Sequence, residues 1–165
     1  MTINSRSDYI NYRLQRAEES YNDALILAEN ESWNAVINRL YYACFYAVIA
    51  LLLKKGIETQ THDGSRTQFG LQYVKTGLID KRFGKIYSKL FDMRQKGDYG
   101  DLYDFDKETV VPLIKSTREF IDELKKRLPV VLDDSIKSCE EKMELMKKAK
   151  DDPLFQADIE NLGNV

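Results

Sequence analysis

The chain has 165 residues, 43% hydrophobic and 32% charged, which fits one ordinary globular domain with a short appendage and excludes a disordered polymer. Eight glycines and three prolines are too few turn residues for a many-stranded β fold. The net charge of −2 exerts no overall pull toward nucleic acid or acidic membranes.

That average hides a split. Residues 1–128 hold 20 Lys+Arg against 18 Asp+Glu, a net of +2, while residues 129–165 hold 5 Lys against 9 Asp+Glu, a net of −4. Two cysteines, Cys44 and Cys139, and a start without an apolar signal core (MTINSRSDY) predict a reducing cytoplasm rather than a disulfide framework.

A first helix is predicted from about Ser7 to Glu29, with Ser5 or Ser7 as its N-cap. Leu14, Ala17, Tyr21, Ala24, Leu25 and Ala28 recur at spacings of three and four and form its apolar stripe. A second helix starts near Ser32 or Trp33. From Leu40 to Leu53 it reads LYYACFYAVIALLL, without a charge. A bilayer span needs about 20 apolar residues, so this shorter run predicts a core helix with neighbours on every side, and no membrane association. Lys54-Lys55-Gly56 closes it with cations near the carbonyl end and a glycine for the left-handed cap.

Residues 57–64 read as a loop, followed by a short helix from Ser65 to about Thr76 with Gly77 after it. The next helix is predicted from Lys81 to Lys96. Phe83, Ile86, Tyr87, Leu90 and Phe91 form its stripe, Arg94 lies on the same face, and Gly97 stops it. Asp98–Asp106 reads as an acidic, aromatic loop in which Asp106 caps a last body helix over 107–128. There Val110, Ile114, Thr117, Ile121, Leu124 and Leu128 alternate four and three, a packing seam. Beyond Pro129, the segment Ser135–Ala149 is amphipathic, and Asp152-Pro153 opens a final short helix. The expectation is an all-α fold: residues 5–128 as an antiparallel bundle of four to five helices, and residues 129–165 as an acidic amphipathic helical extension.

Readable catalytic motifs are missing. There is no phosphate-binding glycine loop and no CxxC, and the single histidine, His62, cannot supply a zinc site; no metal or cofactor is expected. What remains is NRLYYACFYA at the central helix, T-H-D-G-S-R-T-Q-F after it, and RQKGDY at the end of the fourth helix. In these motifs residues 5–128 resemble the HEPN domains, in particular small stand-alone members with R-x-x-Y-Y-A and R-x-x-G/A-D-Y. The resemblance implies a dimerising helix bundle and association with small nucleotidyltransferases. It also implies toxin–antitoxin or stress-response function, and RNA as ligand or substrate.

Several HEPN lineages are metal-independent ribonucleases with an R-x(4–6)-H motif. Its arginine binds the scissile phosphate and its imidazole moves the proton of the attacking 2′-hydroxyl. Counted from Arg94, the histidine position is Tyr99, whose ordinary pKa of about 10 makes it a poor base. The resemblance therefore implies a non-catalytic or weakly catalytic RNA- or nucleotide-binding protein. The alternatives are a ribonuclease using Arg94 with His62 or Tyr99 as base, and an interaction scaffold acting through its C-terminal helices. The candidate site residues are Arg94 and Tyr99 for catalysis, and Arg94, Asp98, Tyr99, Arg39 and His62 for RNA or nucleotide binding. Arg94 has a second role open to it, a salt bridge to Asp98, Asp101 or Asp104. Arg39 either pairs with a carboxylate on a neighbouring helix, the preferred reading, or lines the same cleft as Arg94.

Overall fold

A computed structural model describes residues 5–99 and 103–128, apart from the side chain of Tyr99. The predicted extension over 129–165 and residues 100–102 of the predicted acidic loop lie outside the described residues. The order is α1 (Arg6–Glu29), α2 (Trp33–Lys54), α3 (His62–Phe69), α4 (Lys81–Tyr99) and α5 (Lys107–Lys126). No strand occurs among the described residues.

The α1–α2 connection reverses the chain within three residues. Glu31 takes a left-handed φ of 56°, and the amides of Glu31 and Ser32 donate back to Ala28 O and Leu27 O at 3.0 Å each. This is the hydrogen-bonded ending that glycine usually supplies, here made by glutamate at a cost of roughly 1 kcal/mol. The two helices then lie side by side over most of their length. Gly56 has a φ of 72°, as the C-terminal signal of α2 requires.

α2 is the interior of the molecule. Every residue from Leu40 to Leu52 is buried, and the helix touches α1, α3, α4 and α5. By length and composition it would suffice to cross a membrane, yet 89% of its most apolar window is covered by the protein itself. Phe120 of α5 completes the core beside it, with its ring 5.8 Å from Phe69, 5.9 Å from Tyr87 and 6.2 Å from Phe83. An ionic contact joins the outer helices. Glu18 of α1 accepts two hydrogen bonds from Arg118 of α5, at 2.7 and 2.8 Å, and pairs with Lys125. The Arg118 hydrogen bonds in particular hold its carboxyl down at about 2.

Several boundaries differ from the sequence expectation. α3 begins at His62, because Thr61 caps it by accepting from Gly64 N at 2.9 Å; the expected loop is shorter. Its continuation, Gly70–Val74, is a π-helical turn. Gly97 does not stop α4, which runs on to Tyr99. The glycine answers to packing instead: a Cβ there would lie 3.1 Å from the Phe105 ring. Leu25, placed in the α1 stripe, is 39% exposed, while Arg13 is buried in its place. On α5 the buried set includes Leu113 and Phe120, and Ile114 is only half-buried.

Because Phe120 fills the space between three other rings, Phe120→Ala leaves a cavity the helices close only in part. The expected loss is about 3–5 kcal/mol, read as a lower urea midpoint with an unchanged slope. A loss below about 1 kcal/mol would show that the ring is not packed as described.

Candidate functional site

Arg94 projects from α4 toward the tyrosines of α2. Its guanidinium carbon lies 5.0 Å from the Tyr41 ring centre and 5.2 Å from that of Tyr42, and its side chain is only 10% exposed. Such stacking places a cation on the electron-rich faces of the rings. Asp98, one turn further along α4, brings a carboxylate oxygen to 3.2 Å from Nε without hydrogen-bond alignment. The salt-bridge role open to Arg94 is therefore present, and it coexists with the aromatic stacking.

His62 reaches the same place from the start of α3. Its Nδ1 is 2.9 Å from the Tyr41 hydroxyl, and its ring is 4.4 Å from Phe45. Burial first, and then the positive charge of Arg94, push its pKa down to about 4. The helix N-terminus it occupies also disfavours a positive imidazole. His62 is therefore neutral at pH 7. Two tautomers fit its bond to Tyr41. Where Tyr41 donates, Nε2 carries the proton and His62 is a hydrogen-bond donor. Where Tyr41 accepts, Nε2 has the lone pair and His62 is a base, though a weak one.

Arg39 corrects the preferred sequence reading. No carboxylate lies within ion-pairing distance of it among the described residues. Its Nε and Nη2 donate instead to Oδ1 of its neighbour Asn38, at 3.0 and 2.6 Å, and its guanidinium lies 5.0 Å from the centre of Tyr42. It shares that ring with Arg94.

Tyr99 ends α4, and the place of its side chain lies outside the described residues. The structure thus brings together Arg94, His62 and Asp98, with Arg39 one ring away. Two contributors were not picked out from sequence. Tyr41 is fully buried, yet its hydroxyl orients His62. Arg16 of α1 lies over Tyr46 at 5.2 Å and donates to its hydroxyl at 3.3 Å. The available signal was the α1 register, which puts Arg13 and Arg16 next to the apolar stripe. No group of metal-ligating side chains forms among the described residues. A cavity of about 390 Å³ lies on another flank of α4, lined by Lys81, Lys85, Lys89 and Leu113 among others, and includes none of these residues.

A bundle whose second helix carries R-L-Y-Y-A, Arg39 to Ala43, facing an arginine at the end of the fourth, defines a class. Residues 10–128 match the HEPN domain, and the chain belongs to that family. A UPF0332 protein of Thermotoga maritima is 40% identical over 75% of this chain and 94% of its own length. Two proteins of Methanocaldococcus jannaschii bear the names "Putative toxin MJ0605" and "Putative toxin MJ0142". They are 34% and 30% identical, over 72% and 70% of this chain and 88% and 78% of their own lengths.

A single histidine makes the site's electrostatics directly measurable. The imidazole resonances of His62 are expected to titrate near pH 4, and to move upward in Arg94→Ala, which removes one cause of the depression. The linked effect on folding has a fixed sign. The unfolded chain binds the proton from about pH 6.5 downward and the folded chain only near 4, so stability is full above 6.5. It then falls by about 3 kcal/mol as pH drops between the two. A midpoint near 6.5 that is indifferent to Arg94→Ala would remove this account of the site.

Proposed function

We propose that this HEPN chain is an RNA- or nucleotide-binding, non-catalytic or weakly catalytic component of a toxin–antitoxin or stress-response pair. It acts in the cytoplasm as a homodimer, with a small nucleotidyltransferase-type protein as its partner. The observation that carries the ligand class is the meeting of Arg94 and His62 at Tyr41. A stacked, largely buried guanidinium is a preorganised phosphate receptor, and a neutral imidazole beside it adds hydrogen bonding without a second carboxylate. The toxin names of the two archaeal relatives support the pairing. The dimer and the nucleotidyltransferase rest on the family's habits.

A second reading, metal-independent RNA cleavage, is favoured by the same convergence, because it pairs a guanidinium able to hold a scissile phosphate with an imidazole that is already deprotonated. The 2′-oxygen would attack phosphorus and give its proton to His62, and the 5′-oxygen would leave protonated from solvent. A base of pKa about 4 accepts that proton poorly at neutral pH, which keeps such cleavage slow.

The test is the full chain with labelled RNA in EDTA, compared with Arg94→Ala, His62→Ala and Tyr99→Phe. Expected is binding that Arg94→Ala weakens by at least about tenfold, as losing a charged hydrogen bond implies. Any cleavage should vanish in both Arg94→Ala and His62→Ala, and its rate should rise through about pH 4 to a plateau by pH 7. Binding indifferent to Arg94→Ala would refute the first reading, and cleavage that survives both alanines would refute the second.

A further inference from the structure

The arginines of this face do not end at Arg94. Tyr42 and Tyr46 stand one turn apart on α2, with ring centres 5.9 Å from each other, and each ring is fully buried. Arg94 and Arg39 both lie within 5.2 Å of the Tyr42 centre, and Arg16 lies 5.2 Å from that of Tyr46. With the buried Arg13 also 6.0 Å from the Tyr46 centre, four guanidiniums from three helices thus cover two neighbouring rings.

The charges are not balanced. Arg16 has one ion pair, Glu19 on its own helix at 3.3 Å. Arg39 has none among the described residues, and its one acceptor is the neutral Asn38 amide. A guanidinium carries five N–H donors, so most of its capacity is not met there. Burial weakens its hold on its proton; Tyr46, Tyr42 and, from beyond ion-pairing distance, Asp23 act in the opposite direction, and the like charge of Arg16 adds the smallest push downward. Half-buried like charges side by side cost free energy unless an anion joins them.

We propose that Arg39 and Arg16 form a second anion subsite beside Arg94, so that the ligand is a polynucleotide strand whose successive phosphates are held on either side of Tyr42. This rests on the phosphate-binding reading of Arg94 and extends it. The Tyr42 and Tyr46 ring centres are 5.9 Å apart, so guanidiniums seated along the two rings would offer neighbouring phosphates of a strand separate receptors. Guanidiniums also take phosphate oxygens two at a time, which a single mononucleotide phosphate would satisfy at one subsite only. Tyr42 and Tyr46 position the cations; being covered, they do not stack bases.

The experiment measures binding of a short fluorescent oligouridylate to the full chain in EDTA over a series of salt concentrations, with folding of each variant checked by thermal melting. Each single-strand phosphate contact contributes about 0.7 to the slope of log affinity against log salt. Arg39→Gln and Arg16→Gln are each expected to weaken binding about tenfold, as loss of a charge-assisted contact implies, and to lower that slope by about 0.7. Arg39→Lys keeps the charge and should keep the slope.

If Arg94→Ala weakens binding but both glutamine variants retain affinity and slope, the second subsite is wrong and the Arg94 reading stands. Affinity lost without a change of slope assigns these arginines to packing and also overturns the subsite. Lower slopes in the glutamine variants with no effect of Arg94→Ala keep the subsite and overturn the Arg94 reading. A polyglutamate peptide that binds as tightly as the oligouridylate, with the same dependence on Arg39, overturns the polynucleotide assignment. Failure of the unaltered chain to bind oligouridylate at the lowest salt overturns both.

Discussion

The structure depends on burying α2 on every side while three of its buried side chains are tyrosines. Apolar burial supplies the driving force, at about 25 cal/mol per Å² of surface removed from water, but each phenol must keep a polar partner or lose much of that gain. The partners come from other helices: His62 of α3 for Tyr41, and Arg16 of α1 for Tyr46. Burial pushes the Tyr41 hydroxyl well above its ordinary range, so it stays a neutral phenol able to donate or accept. The need to satisfy a core thereby draws an imidazole and guanidiniums to one face. Fold and site share the same contacts.

That coupling explains what was legible in the sequence. The all-α class and the buried second helix follow from apolar periodicity, and short motifs carried the HEPN resemblance that the match over residues 10–128 then established. The α5 helix was readable because its seam alternates cleanly and Asp106 caps it, accepting from Thr109 N at 2.8 Å. The α4 end was not, because Gly97 carries two signals at once. In sequence it is a helix stop; in space it makes room for Phe105, and the packing won. Leu25 and Arg13 show the same limit. An apolar stripe drawn at spacings of three and four fixes a face only to within one residue, and here the arginine lies inside the boundary.

The site was legible as a list of residues but not as an arrangement. Arg94, Asp98, Arg39 and His62 could be singled out as chemistry-bearing types. That His62 opens α3 and meets Arg94 depends on the Thr61 cap and on the Tyr41 hydroxyl, neither of which a motif records. For Arg39 the sequence argument was that a cation bordering an apolar run needs a carboxylate. Stacking on Tyr42 and the amide of Asn38 meet part of that need in place of the expected ion pair.

The balance of charge then limits what the site can do. Cation–aromatic contacts of this kind are each worth about 0.5–2 kcal/mol, less than the cost of fully desolvating an unpaired cation. The arginines therefore stay at the border of the core, neither drawn in nor released, with donors still to fill. A ligand that brings negative charge gains twice there, from its own hydrogen bonds and from relief of guanidinium repulsion. Burial first, and then the positive charge of Arg94, holds His62 neutral and weakens it as a base. The guanidinium beside His62 thus adds to a depression that burial begins, and under the proposed function the same arginine that would hold a phosphate makes its neighbouring imidazole a poorer base.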